Sequence, residues 1–348
     1  MNVSSLLLHW YDEHARVLPW RGIRDPYRTW VSETMLQQTR VETVRSYYER
    51  FLLRFPDVAA LAKAPEDDVM KLWEGLGYYR RARNLQKGAR QVVEEYGGVI
   101  PSEPLELLKI SGIGAYTAGA IASIAYDVPV PAVDGNVIRV VSRLHGIREN
   151  VGIPSVKRQI EQAAAELVPG ERPGDFNQAM MDLGATVCTP GTPACDRCPL
   201  TAVCDAYRAG DAEEIPELPR KNPPKEIAYD LCLILSGDRV LMRQRHETML
   251  QGLWIYPMLE GWHTARQLPA AVKRRTGLAV TAIEAAGEAR HVFTHQVWRM
   301  KLYVMRSETP DPPEGWRFVT REEMDALALP TAVRKAAEVV RERLPFSG

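Results

Sequence analysis

The sequence predicts two parts of different class: a mainly α region over residues 1–212, then an α+β domain over 227–348. Three observations carry this. Apolar residues recur at helical spacing along the first part, and no convincing period-two alternation occurs before residue 225. The stretch DAEEIPELPRKNPPKE, residues 211–226, holds four prolines and little apolar content, so residues 213–226 read as a linker. Beyond it the alternation begins with AYDLCLILS.

The elements follow in order. Residues 1–24 begin with an amphipathic helix and end in Leu18-Pro19-Trp20-Arg21. Asp25-Pro26 is an N-cap with proline at the first helical position, so a helix runs through YRTWVSETMLQQT. Helical patterns follow at about 41–54, 57–62, 66–75, 79–96 and 104–110, separated by Phe55-Pro56, Ala64-Pro65 and Gly97-Gly98. A Gly112-Ile113-Gly114 turn leads to a helix from Tyr116 to Ala125. In the second part, AYDLCLILS, a turn at Gly237-Asp238 and RVLMRQR form a hairpin. Strands are expected near 290–306 and a final helix from Pro330.

Composition narrows the function classes. Hydrophobic content of 45% and charged content of 25% are those of a globular chain, and no apolar run reaches membrane-spanning length. The start, MNVSSLLLHWYDEH, has three consecutive leucines and then charges, unlike a signal peptide. A cytoplasmic protein is expected. Lysine plus arginine and aspartate plus glutamate each number 44, which argues against a uniformly basic coat. Locally, Arg80, Arg81, Arg83, Lys87 and Arg90 share a window without acids. That window suits either a solvated helix face or a surface tracking a nucleic-acid backbone.

Three groups of residues carry chemistry. The Gly112-Ile113-Gly114 hairpin, with the positive end of the following helix, forms a seat for one backbone phosphate. Asp134 follows about twenty residues later, at the start of the next helical run. Glu33 sits mid-helix with Trp30 and Leu36 at i−3 and i+3, so its face is apolar and its pKa should rise. Two such carboxyl groups suit glycosidic cleavage: one protonated donor, one ionised stabiliser of an oxocarbenium-like sugar. Cys188, Cys195, Cys198 and Cys204 have the spacing C-x6-C-x2-C-x5-C. Four cysteines within seventeen residues read as metal ligands; zinc is one option, and one compact loop suits a cubane cluster. Cys232 lies in an apolar strand and reads as core.

The hairpin, Asp134 and the cysteine loop resemble the endonuclease III, helix-hairpin-helix superfamily of DNA glycosylases. Within it, SETMLQQT, EGLGYYRRARNL, AVDGNVIRV and FNQAMMDLGATVCTP closely resemble the adenine DNA glycosylases, the MutY family. The resemblance implies a six-helix bundle at about 25–130 and an iron–sulfur part formed by 1–24 with 131–212. It implies a [4Fe–4S] cluster on the four cysteines and a monofunctional enzyme that removes adenine mispaired with 8-oxoguanine or guanine in double-stranded DNA. Glu33 would protonate adenine N7 and handle the attacking water, Asp134 would stabilise the cationic sugar, and Tyr116 and Asn136 would support the reacting centre. Tyr116 stands where bifunctional relatives carry lysine, and a phenol cannot form a Schiff base.

By the same resemblance Gln38 and Tyr78 hold the orphaned base and fill the gap left by flipping. Trp20, Arg21 and Leu36 line the adenine pocket, and Gln178 reaches an edge of the base. The second domain resembles the Nudix fold. In place of the acidic, metal-binding helix of Nudix hydrolases it has HTARQLPAAVKRRTG, so metal-dependent hydrolysis is not expected. Phe293-Thr294-His295 resembles the loop that reads the oxidised guanine, with threonine where many relatives have serine. The expected setting is a cytoplasmic, nucleoid-associated monomer of bacterial type. Alternatives are a thymine-mismatch or endonuclease-III-like glycosylase, and a non-catalytic iron–sulfur DNA-binding protein.

Overall fold

The computed structural model describes residues 2–220 and 222–345. Two compact units emerge. One comprises residues through Ala64 together with Asn84–Arg220, and the other Pro65–Arg83 together with the chain beyond Arg220.

The first unit is helical. Asp25 caps the helix Pro26–Leu36 by accepting from Arg28 N at 2.9 Å, with Pro26 in its first turn. Trp30, Val31 and Met35 on this helix are fully buried, and the helix Ala115–Tyr126 packs against it. Helices Val41–Arg54, Val58–Lys63 and Arg80–Tyr96 lie where the apolar spacing predicts them. A second core gathers Leu7 and Trp10 of the helix Val3–His14 with Val140, Val141 and Leu144 of Gly135–Leu144 and Phe176 of Pro173–Thr186. This core joins the N-terminal segment to the chain after residue 131, so both ends of the helical region meet.

The first half of the proline-rich stretch belongs to this unit. Ile215 is 2% exposed, and Val151 N donates to Glu217 O at 3.0 Å. Its prolines thus fix an extended path laid on the helices, and a free linker from residue 213 is not what forms.

The second unit is a mixed sheet of seven strands: β1 Lys225–Ser236, β2 Arg239–Gln244, β3 Trp254–Ile255, β4 Met258–Glu260, β5 Thr281–Val292, β6 Gln296–Arg306 and β7 Arg317–Val319. The path is β3-β2-β1-β6-β5, with β1 and β6 parallel. Alternation along β1 feeds two cores. Leu231, Leu233 and Leu235 face the helix Arg334–Arg343, while Cys232 and Ile234 face the helix Leu268–Thr276. Cys232 is therefore a core residue. The segment Pro65–Arg83 attaches here by polar bonds. Lys71 Nζ donates to Leu327 O at 2.9 Å, Leu329 N to Glu74 Oε1 at 3.1 Å, and Gln244 Nε2 to Asp67 Oδ1 at 3.1 Å.

Among the described residues no helix is long and apolar enough to cross a membrane.

Candidate active site

Glu33 projects from the helix Pro26–Leu36 and is 5% exposed. Burial raises its pKa; the Tyr116 hydroxyl and Arg21 work against that rise, and the charge of Asp134 adds to it. Tyr116 lies in the first turn of the helix Ala115–Tyr126, and its Oη donates to Glu33 Oε2. The phenol is itself held neutral, because burial and the neighbouring carboxyls push its pKa well above 10.0. One oxygen of Glu33 is thereby oriented by a fixed donor.

Asp134 is the N-cap of the helix Gly135–Leu144. Its Oδ1 accepts from Val137 N at 2.8 Å, and its Oδ2 from Asn136 Nδ2 at 2.9 Å. Burial raises this pKa too, against the bonds from Val137 and Asn136 that favour the anion. Both carboxyl groups are thus shifted upward. Their partners separate them: Asp134 accepts several N–H donors at a helix N-terminus, whereas Glu33 has one phenol. Asp134 is the better-solvated anion of the two.

Asn136 is held in turn. Its Oδ1 accepts from Arg139 Nη2 at 3.0 Å, and Arg139 also donates to Gly184 O at 2.6 Å and to Cys188 O at 2.8 Å. Gly184 makes the approach possible, because a Cβ there would stand 2.7 Å from Asn136 Cβ. A continuous chain of bonds runs from Asp134 through Asn136 and Arg139 to the first cysteine.

Glu33, Tyr116, Asp134 and Asn136 line one cavity of about 520 Å³, together with Trp20, Arg21, Leu36 and Gln38. Trp20 is buried edge-to-face against Tyr48, so its indole forms a fixed wall. Gln38 is exposed at the rim with φ +57°, a left-handed conformation that a non-glycine residue adopts at a cost. Gln178 is not among the lining residues. It is buried on the helix Pro173–Thr186, with Nε2 donating to Gly174 O at 3.2 Å.

Sequence reasoning missed Asp182. It is fully buried and accepts from Arg16 Nη2 at 2.6 Å and Arg21 Nη2 at 2.9 Å, which points both arginines along the cavity wall. Its position on an apolar helix face, in MMDLG, was the available signal. Gln37 and Met181, also in the lining, carry no comparable signal.

In the hairpin, Gly112 adopts φ +85°, and a Cβ there would stand 2.9 Å from Asn84 Cβ. Gly114 caps the helix Ala115–Tyr126 without a side-chain bond, so the first N–H groups of that helix have no cap acceptor. The basic window divides. Arg81 turns inward: Nη2 donates to Leu76 O and Gly77 O, and burial pulls its pKa down to about 10. Arg90 Nε donates to Ala62 O at 3.1 Å. Two of the five cations thus brace their own chain.

The four cysteines ring one small pocket with Arg143, Val187, Pro193 and Ala194. All four thiols are free of disulfides. Buried Arg143 clamps the loop, with Nη1 reaching Cys188 Sγ at 3.4 Å and Thr189 O at 2.8 Å. Among the described residues no group of three or more His, Cys, Asp or Glu is placed to hold a single metal ion. An all-sulfur donor set around an apolar pocket, with a cation at its edge, fits an iron–sulfur cluster.

In the second unit, Phe293, Thr294 and His295 form the turn between β5 and β6, closed by Phe293 N to Gln296 O at 2.7 Å. Phe293 packs between His291 and Trp298 at ring distances of 4.5 Å and 4.8 Å. Thr294 Oγ1 lies 2.8 Å from Tyr78 Oη, so the two lie side by side. Tyr78 is 48% exposed and, like Gln38, left-handed, with φ +47°.

Comparison with known proteins adds to this geometry. Residues 31–170 match the HhH-GPD superfamily of base excision DNA repair proteins, and residues 231–339 match the NUDIX domain. The chain is 38% identical to the adenine DNA glycosylase of Mus musculus, over 95% of this chain and 76% of that protein. Its fold is similar to that of a thermostable thymine-DNA glycosylase, with a TM-score of 0.54 and 30% identity over 59% of this chain and 95% of the other. It is also similar to a trapped endonuclease III–DNA covalent intermediate, with a TM-score of 0.51 and 25% identity over 60% of this chain and 94% of the other. An endonuclease III-like fold of this kind implies an iron–sulfur cluster in general.

Proposed function

The chain belongs to the adenine DNA glycosylases, and from that membership we propose that it hydrolyses the N-glycosidic bond of adenine mispaired with 8-oxoguanine or guanine in duplex DNA. The observation that carries this reading is the meeting of Glu33, Tyr116 and Asp134 in one cavity.

Adenine leaves the stack and enters the cavity, at a cost of roughly a few kcal/mol. Glu33, whose protonated form burial favours and which Tyr116 aligns, gives its proton to N7. The bond from C1′ to N9 breaks, and its electrons go to the leaving base. Asp134, braced by Asn136 and Val137, faces the cationic sugar as an anion. Water adds to C1′, and its proton returns to Glu33. Without an amine at position 116 the enzyme releases the base and goes no further. Cys188, Cys195, Cys198 and Cys204 would hold a [4Fe–4S] cluster, which when bound cross-links this loop. Gln38 and Tyr78 would fill the gap, and the Phe293-Thr294-His295 turn would read the oxidised guanine. The setting proposed is the bacterial cytoplasm, with the chain acting as a monomer.

The test is single-turnover base release from duplexes carrying A or T opposite 8-oxoguanine or guanine, with borohydride present in a parallel set. Release of A alone, without a trapped adduct, is expected. Release of T, or efficient trapping, overturns the reading.

A further inference from the structure

Two arginines, Arg16 and Arg21, line the cavity that holds Glu33, and among the described residues both are ion-paired to Asp182 rather than to Glu33. Asp182 stands on the helix Pro173–Thr186 with its side chain 1% exposed. Its Oδ1 accepts from Arg16 Nε at 3.0 Å, from Arg16 Nη2 at 2.6 Å and from Arg21 Nη2 at 2.9 Å, and its Oδ2 from Arg16 N at 3.3 Å. One buried carboxylate thus anchors two guanidinium groups.

Arg21 is the more constrained of the two. Its side chain is 13% exposed, against 30% for Arg16. Nη1 donates to Tyr11 Oη at 2.5 Å, so both terminal nitrogens are tied, one to the phenol and one to Asp182. Tyr11 is buried, and burial raises its pKa, so it stays a neutral phenol. Arg21 makes no ion pair with Glu33 among the described residues, yet its charge acts on that carboxyl. The other groups facing Glu33 are Tyr116, from the helix Ala115–Tyr126, and Asp134, the N-cap of the helix Gly135–Leu144. Arg16 completes the ionisable lining of the cavity.

A buried guanidinium deprived of its carboxylate turns to another, because an uncompensated charge in the interior is costly. Two carboxyl groups line this cavity, Glu33 and Asp134. Asp134 already accepts from Val137 N and Asn136 Nδ2, whereas Glu33 has only the Tyr116 phenol. Glu33 is therefore the open partner. A guanidinium paired with it favours the anion, and an anion has no proton to give. We propose that Asp182 is a positioning residue for base release: by anchoring Arg21 it keeps that guanidinium from pairing with Glu33, so the acid still carries its proton when the base arrives. This rests on the reading of Glu33 as the general acid.

The test is the pH profile of single-turnover adenine release by the full chain at saturating enzyme. Wild-type activity should fall at high pH as Glu33 ionises. Asp182→Asn should move that alkaline limb to lower pH by about 1–3 in pH, the effect of an opposite charge set beside a carboxyl group. Tyr11→Phe frees Nη1 of Arg21 and leaves the ion pair in place, so it should move the limb the same way by less. Arg21→Met in the Asp182→Asn background should return the limb toward its wild-type position. Thermal melts establish that each variant is folded. The proposal is overturned by a limb unmoved in Asp182→Asn, or unmoved in Tyr11→Phe where Asp182→Asn does not fold. A rate lowered equally at every pH, or a shift that persists in the double variant, overturns it as well, since Asp182 would then act on the fold and not through Arg21. Near-normal release by Glu33→Gln would instead overturn the role of Glu33, which separates the two failures.

Discussion

Glu33 shows how one residue can be both a cost and a tool. Its folded pKa is raised, so ionising it opposes folding: the penalty is absent below the ordinary carboxyl range, grows as pH rises through it, and levels off above the folded pKa. Glu33→Gln keeps an acceptor for Tyr116 Oη and removes the charge. The variant should melt higher than wild type at neutral pH, with the gain vanishing at about pH 4, near the free carboxyl pKa. It should also lose adenine release while keeping duplex affinity, since general acid loss costs about 10²–10⁴ in rate. Single-turnover assays and melts across pH measure both. Arg139 makes a second residue-scale prediction. Arg139→Met removes donors to Asn136, Gly184 and Cys188. It should slow base release and lower stability by about 1–3 kcal/mol, because carbonyls are left unpaired. Visible absorbance of the iron–sulfur centre serves as the control and should persist. Glu33 and Asp134 are legible in the sequence because an apolar i±3 neighbourhood and an N-cap are local signals. Asp182 offers only its place on an apolar helix face, and the bracing by Arg139 is not legible, since Gly184 and Cys188 arrive from far along the chain.

At the scale of elements, the hairpin and the cysteine loop are where local sequence has most authority. Gly112→Ala puts a Cβ at φ +85°, 2.9 Å from Asn84 Cβ. A left-handed residue alone costs roughly 1–2 kcal/mol. The variant should therefore melt lower and bind duplex more weakly. Cys198→Ser should lose the visible absorbance and some DNA affinity with it; zinc without iron in anaerobically purified wild type would refute the cluster. The helices Val41–Arg54 and Arg80–Tyr96 were readable from apolar spacing and breakers. The basic window was not fully readable, because spacing alone cannot tell a solvent-facing arginine from Arg81, which folds back onto Leu76 and Gly77.

At the scale of the whole chain, the segment Pro65–Arg83 is the unexpected part. It lies inside the helical region in sequence but packs with the sheet, and one bond that holds it, Leu329 N to Glu74 Oε1, spans 255 residues. No local pattern reports a partner that distant. A chain ended at Arg220 keeps Ile215 and its bond from Arg143 at 2.8 Å, yet strips this segment of its acceptors and donors. It should still release adenine opposite guanine but lose most preference for 8-oxoguanine, and limited proteolysis should cut within 65–83. Equal rate ratios on the two duplexes for full-length and shortened chains would show that the sheet domain does not read the lesion. Thr294→Ala alone should change the ratio little, because the turn's backbone groups remain.

Gln38 and Tyr78, the two side chains assigned to the gap in the duplex, both stand where glycine would be more comfortable. A breeder selecting only for a relaxed backbone would install glycine at each, removing a left-handed cost of roughly 1–2 kcal/mol per site. On the proposed roles the survivors would be hardier and unable to hold the orphaned base. Keeping an amide and a phenol at those two corners is a standing tax on robustness, and under the proposed roles damage surveillance outranks durability there.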